Sequence, residues 1–324
     1  MVKLVMTQAF PPEGMVLLEG KAEVFIADDP DPANYMAELK KAQGIIIRLG
    51  KMTGEILAQT PDLRVIAQNG VGYDNIDVAA ATARGVPVVY TPGANARSVA
   101  EHTMGMILAL DKKMLAGHLG TLAGKFMESR ISGNSFELYG KTIGVIGLGN
   151  IGKIVAELAA GFGMKILGYD PFLPPEAFTK RGWTRCADLP DLLRAADVVT
   201  VHTPLNESTK NLIALRELSL MKPEAILVNC ARGGVVSEAD LAAALEKDLI
   251  AGAALDVFEM EPPDGTAPLL RAKNLLVTPH SAAQTKEAAL NMMRMCVDGC
   301  LAVLRGERWP CVVDPGVWNH PRWQ

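Results

Sequence analysis

Short apolar runs rich in β-branched residues alternate along the chain with longer stretches in which apolar residues recur at helical spacing. In the first part of the chain these runs are residues 3–6, 24–26, 45–47, 65–67 and 86–89. Strands that are apolar on both faces and separated by helices are typical of a parallel sheet covered by helices on each side. The pattern therefore predicts an α/β fold built on a doubly wound parallel sheet.

A long helix is predicted next, over residues 98–115, because Ser98 is an N-cap residue, Glu101 completes a capping box and apolar residues follow at helical spacing. A second series of strands and helices then begins, with predicted strands at residues 142–147, 165–170, 198–203, 225–230, 251–258 and 274–279. A final helix over residues 285–305 is expected to return to the first series. We therefore predict two domains, a discontinuous one of residues 1–97 with 286–324, and one of residues 98–285.

The charge balance narrows the range of partners and locations. Among 324 residues, 32 Lys and Arg face 36 Asp and Glu, which gives a net charge of −4 without a run of like charges. Nucleic acid is therefore not an expected partner. No apolar stretch approaches the roughly 18 residues of a membrane span, and the first residues lack the layout of a secretory signal. These features predict a cytoplasmic protein.

The five cysteines do not suggest a disulfide framework, because their number is odd and they are scattered along a long chain. Free thiols fit a reducing compartment. Cys296 and Cys300 are spaced to share one face of a helix, which permits a metal pair. No histidine lies beside them at ligand spacing, so we expect buried apolar thiols and no metal.

A glycine-rich motif lies between a predicted strand and a predicted helix over residues 153–161. Gly147, Gly149 and Gly152 form G-x-G-x-x-G, which permits a tight turn, lets a pyrophosphate approach the backbone and allows close packing of helix on strand. The N-terminus of the helix, with Asn150 and Ile151, faces the phosphate charge. In this context the motif predicts a dinucleotide site.

Asp170 ends the next predicted strand, where a carboxylate accepts hydrogen bonds from the adenosine ribose hydroxyls and repels a 2′-phosphate. The residues that follow, Pro171 and Phe172, bring no positive charge. NAD is therefore predicted over NADP. The strand end at His202, Thr203 and Pro204 is expected to line the crevice that holds the dinucleotide.

Three residues that suit proton and carbonyl chemistry follow predicted strands. Ligands of an open α/β sheet bind beyond the carboxyl ends of its strands, and Arg232, Glu261 and His280 all lie there. An imidazole suits the acid–base work that accompanies hydride transfer, so His280 is the candidate acid and base. Glu261 would orient its ring and raise its pKa. Arg232 would polarise a carbonyl and bind a neighbouring carboxylate, so the three residues define a site for a 2-oxo or 2-hydroxy acid.

Each of these residues also has a plain structural interpretation. Arg232 would be a surface ion-pair donor, Glu261 a solvated loop acid and His280 a hydrogen-bonded structural histidine. His102 and His202 are rival bases. We assign His102, within the long helix, a mostly structural role, whereas His202 is better placed to line the cofactor crevice.

Six motifs occur in an order that resembles a known family. They are residues 69–77 (NGVGYDNID), 98–102 (SVAEH), 144–152 (GVIGLGNIG), 229–234 (NCARGG), 256–262 (DVFEMEP) and 278–280 (TPH). Together they resemble the D-isomer-specific 2-hydroxyacid dehydrogenases, in the branch that is similar to phosphoglycerate dehydrogenase. The resemblance covers nearly the whole chain. It implies two Rossmann- or flavodoxin-like domains with a cleft between them, of which residues 98–285 bind NAD and the other domain binds substrate.

The same resemblance assigns roles to single residues. It makes Arg232, Glu261 and His280 the catalytic Arg, Glu and His, and it places Asp256 at the nicotinamide amide. The cofactor-contacting loop includes Cys230 and Ala231. The substrate contacts that it implies are the backbone N–H groups of Val71 and Gly72 for the carboxylate, and Arg48 for the distal end. It also implies a homodimer built on the cofactor domain.

We therefore predict an NAD-dependent oxidoreductase that interconverts a small D-2-hydroxy acid and its 2-oxo acid. Arg48 is followed by Leu49, Gly50 and Lys51 rather than by serine and threonine, which leaves a phosphorylated substrate open. The chain ends soon after its last predicted helix, so a regulatory C-terminal domain is not expected. Two alternatives remain: the same machinery oxidising another donor such as phosphite, and a non-catalytic protein that senses NAD.

Overall fold

The computed structural model describes residues 1–130 and 135–324. These residues form two compact units, Met1–Asn95 with Thr285–Gln324, and Ala96–Gln284. The sequence predicts the boundaries between the two domains at residues 97/98 and 285/286. In the described ranges, no helix combines the length and the apolar character that crossing a membrane requires.

The elements alternate along the chain as the apolar runs predict. The described strands are β1 Val2–Met6, β2 Ala22–Ile26, β3 Gly44–Ile47, β4 Val65–Gln68, β5 Val88–Val89, β6 Thr142–Ile146, β7 Lys165–Tyr169, β8 Thr184–Arg185, β9 Val198–Val201, β10 Ile226–Asn229, β11 Gly252–Leu255 and β12 Leu275–Val277. The described helices are α1 Pro12–Met15, α2 Met36–Leu39, α3 Gly54–Ala58, α4 Val78–Ala83, α5 Ala96–Asp111, α6 Met114–Leu122, α7 Phe126–Arg130, α8 Asn150–Gly161, α9 Pro175–Thr179, α10 Leu189–Ala195, α11 Leu215–Leu218, α12 Glu238–Glu246 and α13 Lys286–Leu304.

The first unit is a parallel sheet in the strand order β2-β1-β3-β4-β5. Strands β3 and β4 are buried along their whole length, which explains their unbroken apolar sequence. Helix α13 packs on these two strands and brings Cys296 and Cys300 into the core. Burial raises the pKa of the Cys300 thiol to about 12, so this group stays protonated at neutral pH.

The second unit is a larger parallel sheet in the order β12-β11-β10-β9-β6-β7-β8. The chain moves outward in opposite directions from β6 and β9, so the order reverses between these two strands. A crevice opens at such a switch point beyond the carboxyl ends of the strands. The predicted fold class, two doubly wound parallel-sheet α/β domains, is confirmed.

The sequence analysis was wrong about how the long helix begins and ends. Helix α5 starts at Ala96, so Ser98 lies buried inside it, and Glu101 forms an ion pair with Arg97 at 3.2 Å. The helix stops at Asp111, whose carboxylate accepts the backbone N–H of Phe136 at 3.0 Å. A partner 25 residues away in sequence therefore contributes to this end of the helix.

Two further differences concern short elements of the second unit. Strand β8, which the apolar pattern did not predict, consists of two exposed residues that pair with β7 through backbone bonds. Helix α8 begins at Asn150 instead of residue 153, because Gly152 forms part of its first turn. Backbone pairing with β7 forms β8, and the close approach of helix to strand at Gly152 sets the start of α8. Neither interaction can be recognised from the spacing of apolar residues.

Helix α13 begins with a side-chain cap that can be tested directly. The Thr285 hydroxyl accepts the backbone N–H of Ala288 at 3.1 Å. Thr285→Ala removes this bond and is expected to lower the free energy of unfolding by about 1 kcal/mol. Thr285→Ser keeps the hydroxyl and is expected to stay close to the wild type. Chemical denaturation followed by circular dichroism measures both, and equal losses in the two variants would contradict the capping role.

Candidate active site

The glycine motif forms the turn that joins β6 to α8. Gly147 adopts a left-handed backbone conformation, with φ of +85°. A Cβ at Gly152 would lie 2.0 Å from the carbonyl oxygen of Gly147, so only glycine allows the helix to approach the strand this closely. A Cβ at Gly149 would meet no described atom within 4 Å. The backbone at the helix N-terminus therefore borders open space, which fits a pyrophosphate beside the N–H groups of the first helical turn.

The Asp170 carboxylate at the end of β7 holds this turn in shape. Its two oxygens accept the backbone N–H groups of Leu148 at 2.9 Å and of Phe172 at 3.0 Å. Each carboxylate oxygen can accept more than one hydrogen bond, so both retain capacity for a ligand hydroxyl. The acid that is predicted to bind the ribose thus also shapes the glycine loop.

His202 follows β9 on the other side of the switch point. Its backbone N–H donates to the carbonyl oxygen of Ile146 at 2.7 Å, and its Nε2 lies 2.9 Å from the hydroxyl oxygen of Thr200. Burial lowers the pKa of the His202 imidazole to about 3. A ring that stays neutral at ordinary pH is poorly suited to gain and lose a proton, which weakens His202 as the rival base.

Two buried polar atoms beside this strand end have no hydrogen-bond partner among the described residues. They are Nδ1 of His202 and the hydroxyl oxygen of Thr203. Buried polar groups are rarely left unsatisfied, so these atoms indicate a place where a polar ligand would supply the partners. Pro204 comes next, and its carbonyl oxygen accepts the hydroxyl of Thr209 at 2.6 Å, which fixes the loop. The residues at this switch point therefore fit a dinucleotide.

The loop after β10 is organised by Asn229. Its side chain accepts the backbone N–H of Ala231 and donates to the carbonyl oxygen of Arg232, both at 2.9 Å. The Arg232 guanidinium in turn donates to the carbonyl oxygen of Ala231 at 2.7 Å. Burial raises the pKa of the Cys230 thiol to about 12, so this neighbour is an inert thiol and not a nucleophile.

Close backbone packing brings the loop of Arg232 against the loop that leads to Glu261. A Cβ at Gly233 would lie 1.8 Å from the carbonyl oxygen of Phe258, so a side chain at this position would force the two loops apart. The backbone N–H of Phe258 also donates to Oε1 of Glu261 at 3.1 Å. The strand ends of β10 and β11 therefore carry Arg232 and Glu261 on two loops in direct contact.

Glu261 and His280 form the hydrogen bond that the sequence analysis predicted. Nδ1 of His280 lies 2.6 Å from Oε2 of Glu261, and about half of the imidazole is exposed. Because the carboxylate occupies Nδ1, this nitrogen carries a proton and Nε2 remains available to a substrate. His280 has a left-handed backbone, with φ of +50°, and its N–H donates to the carbonyl oxygen of Asp256 at 2.8 Å.

Asp256 has a second role that the sequence analysis did not find. Its carboxylate is fully buried and accepts the hydroxyl of Thr278 at 2.5 Å and the backbone N–H groups of Ser281 at 2.8 Å and Ala282 at 2.9 Å. These donors flank His280 on both sides. The placement of Asp256 at the nicotinamide amide, which the resemblance implies, stays a prediction.

The predicted substrate residues lie at the carboxyl edge of the sheet in the first unit. Arg48 follows β3, and its backbone N–H donates to the hydroxyl oxygen of Thr7 at 3.2 Å. Val71 and Gly72 lie in the loop after β4. Four buried side-chain oxygens of this unit have no partner among the described residues; they belong to Gln68, Asn69, Thr91 and Asn95. This edge therefore carries Arg48 and several polar groups that suit a small anion.

The chain is similar to known proteins over nearly its whole length. Residues 104–282 match the model of the D-isomer specific 2-hydroxyacid dehydrogenase family, NAD binding domain. A D-3-phosphoglycerate dehydrogenase from Methanocaldococcus jannaschii is 41% identical over 97% of this chain and 60% of its own length. A glyoxylate reductase from Thermococcus litoralis is 35% identical over 97% of each chain. Thus the chain spans little more than half the length of the phosphoglycerate dehydrogenases that it matches, and nearly all of the reductase.

A solved structure shows the same fold. The NADPH-dependent glyoxylate/hydroxypyruvate reductase from Sinorhizobium meliloti, in complex with citrate, aligns with a TM-score of 0.86 at 29% identity over 98% of this chain and 99% of its own. The predicted binding of a nicotinamide dinucleotide is confirmed at the level of the family. From the matched domain and the nearly full-length similarity to the reductase, we conclude that this chain belongs to the D-isomer specific 2-hydroxyacid dehydrogenase family.

Proposed function

We propose that this protein is an NAD-dependent oxidoreductase that interconverts a small D-2-hydroxy acid and its 2-oxo acid. The observation that carries the proposal is the hydrogen bond of 2.6 Å between His280 and Glu261, at the same sheet edge as the glycine motif. An oriented imidazole beside a dinucleotide loop is what proton transfer coupled to hydride transfer requires. The names of the relatives, D-3-phosphoglycerate dehydrogenase and glyoxylate reductase, support the same class of reaction.

The proposed chemistry divides between three side chains. When bound, NADH supplies the hydride that reduces the carbonyl carbon. His280 donates a proton from Nε2 to the carbonyl oxygen during reduction and accepts it during oxidation. Glu261 accepts the hydrogen bond from Nδ1 and so holds the ring with Nε2 available to the substrate. Arg232 polarises the carbonyl and binds the adjacent carboxylate, since its planar guanidinium matches that geometry.

Substrate recognition is proposed for the first unit. The backbone N–H groups of Val71 and Gly72 would bind the carboxylate, and Arg48 would face the distal end of the substrate. Lys51 is a second cation close to Arg48 in sequence, so a phosphorylated distal end stays within the proposal. The predicted cleft and the cytoplasmic location both stay predictions.

NAD is the proposed cofactor, in contrast to the NADPH of the Sinorhizobium meliloti reductase. The Asp170 carboxylate is fixed by two backbone N–H groups, so it cannot easily turn away from the ribose. A 2′-phosphate placed there would meet a held negative charge. The rigid carboxylate therefore favours NAD.

We further propose a homodimer that buries an apolar face of the second unit. Helices α6 and α7 expose large apolar side chains, each more than half accessible: Met114, Leu115, Leu119, Leu122, Phe126 and Met127. A cavity of about 570 Å³ adjoins this face and is lined in part by Leu115, Leu119 and Phe136. A contiguous apolar patch beside a cavity is typical of a surface that a partner covers.

His280→Gln tests the proposed acid and base. Removal of the titrating imidazole is expected to lower kcat with NADH and glyoxylate or hydroxypyruvate by about 10²- to 10⁴-fold. Binding of NADH, measured by protein fluorescence, is expected to change little. As a control, His320→Asn replaces an imidazole in the first unit while keeping an acceptor for the N–H of Arg322, and it is expected to retain full activity.

The substrate panel also separates the proposal from its alternatives. Wild-type turnover is measured with a set of 2-oxo acids, one of them phosphorylated, and with phosphite and NAD. If phosphite were the only compound turned over, the hydride donor would be inorganic and not a 2-hydroxy acid. Binding of NADH without turnover of any compound would favour a sensing protein, and an unchanged kcat in His280→Gln would remove this residue from the mechanism.

Asp170→Asn tests the choice of cofactor. Loss of the negative charge is expected to reduce the ratio of kcat/KM for NADH over NADPH by about ten- to a hundredfold, because the repulsion of a 2′-phosphate disappears. Asp188→Asn makes the same charge change at an exposed position that precedes α10 and is expected to leave the ratio unchanged. An equal ratio in the wild type and Asp170→Asn would contradict the role of this carboxylate.

Leu119→Glu combined with Leu122→Glu tests the proposed dimer. Two charges on the apolar face are expected to prevent its burial, so the mass measured by light scattering would fall from that of two chains to that of one. Val16→Glu places a charge on an exposed apolar residue of the first unit and is expected to leave the mass unchanged. A wild-type mass of one chain would refute the dimer.

A further inference from the structure

A chain of hydrogen bonds leads from helix α5 to the turn that carries His280. Nε2 of His102 lies 3.1 Å from the hydroxyl oxygen of Thr278 and 3.7 Å from Oδ1 of Asp256. The Thr278 hydroxyl lies 2.5 Å from that same Oδ1. Asp256 then accepts the backbone N–H groups of the two residues that follow His280. A helix residue is thus connected to the candidate acid and base through one hydroxyl and one carboxylate.

The direction of these bonds follows from the donors available. A carboxylate only accepts, so the single hydrogen of the Thr278 hydroxyl points to Asp256. The Thr278 oxygen must then accept from its other neighbour, which makes Nε2 of His102 a donor. This assigns the proton of the His102 ring to Nε2. The hydroxyl of Thr278 is therefore held from both sides and cannot rotate away from the carboxylate.

The geometry of the turn explains why such support is needed. His280 has a left-handed backbone, which is unfavourable for a residue with a side chain. The backbone N–H and both flanking segments are held by Asp256, through its carbonyl oxygen and its carboxylate. Movement of this carboxylate would release the turn and shift the imidazole.

Helix α5 is a suitable anchor for this support. It packs against β10, β11 and β12, the strands whose carboxyl ends lead to Arg232, Glu261 and His280. His102 lies within the helix, and its side chain is about one quarter exposed. A donor on a packed helix keeps its position better than one on a loop.

We infer that His102 is a positioning residue: by donating to Thr278 it fixes the Asp256 carboxylate and thereby the turn that aims His280. The inference rests on the proposed function for its effect on turnover, and on the hydrogen bonds alone for its effect on the turn. His102 does not replace His280 as the acid and base, because its described polar contacts are Thr278 and Asp256. The sequence alone made this residue a rival base with a mostly structural role.

Two substitutions of His102 separate hydrogen bonding from packing. His102→Gln carries an amide N–H near the position of Nε2 and can still donate to Thr278, whereas His102→Leu fills similar space without a donor. Hydrogen exchange of the backbone, followed by mass spectrometry, is measured on peptides covering residues 279–284 and 142–147. In His102→Leu the first peptide is expected to exchange about tenfold faster, and the second at the wild-type rate. His102→Gln is expected to behave as the wild type.

Turnover gives the second readout. A displaced imidazole is expected to lower kcat of His102→Leu by about 10- to 100-fold, with KM and the affinity for NADH nearly unchanged, and His102→Gln is expected to restore most of the loss. Thermal unfolding confirms that both variants are folded. Wild-type exchange and kcat in His102→Leu, or equal losses in the Leu and Gln variants, would overturn the inference.

Thr278→Val provides an independent test if His102→Leu fails to fold. It removes the hydroxyl while keeping the shape, so it is expected to reproduce the faster exchange of residues 279–284 and the loss of kcat. Where His102→Leu folds, the two effects are expected not to add in the double variant His102→Leu with Thr278→Val, because both substitutions break the same chain of bonds. Full additivity would overturn the inference. Absence of wild-type turnover would refute the proposed function and leave the exchange test of the positioning role intact.

Discussion

Parallel pairing is the constraint on which the site depends. Every named strand of the second unit runs in the same direction as its neighbours, so all of their carboxyl ends lie at one edge. The glycine motif, Asp170, His202, Arg232, Glu261 and His280 each follow one of these strands. Residues separated by more than a hundred positions in sequence therefore reach one edge of the sheet.

The hydrogen bonds that buried polar groups require then determine the local structure at this edge. The fully buried carboxylate of Asp256 needs donors, and it obtains them from the turn around His280. The need of this buried carboxylate for hydrogen-bond donors thus shapes the turn that carries His280. Near the glycine motif the reverse holds, since His202 and Thr203 keep buried polar atoms unpaired among the described residues. The Asp256 carboxylate thus has its hydrogen-bond donors within the protein, whereas the unpaired atoms of His202 and Thr203 fit a ligand.

Charge and protonation separate the roles of the histidines. The His202 ring is buried, and its lowered pKa keeps it neutral. His280 is about half exposed and hydrogen-bonded to the Glu261 carboxylate, which suits the acid and base role proposed for it. His102 is intermediate in exposure, and it lies in helix α5 beside the Thr278 hydroxyl. Position relative to solvent, and not residue type, therefore assigns each imidazole its task.

The sequence by itself determined eleven of the twelve described strands, the final helix and the candidate site at strand ends. These features are local: unbroken apolar runs mark buried parallel strands, and Thr285 marks the start of α13 by its own side chain. The G-x-G-x-x-G motif is equally local, because its three glycines serve one turn. The hydrogen bond between Glu261 and His280 was also within reach, since both residues follow adjacent strands in the predicted order.

Only the tertiary structure decided what depends on partners far apart in the chain. The predicted cap at Ser98 failed because packing extends α5 to Ala96, and β8 exists only through its pairing with β7. His102 and Thr278 are 176 residues apart, and no local pattern connects a histidine inside a helix with a hydroxyl at a strand end. Their contact arises because α5 packs across the sheet, and such packing is a property of the folded chain as a whole.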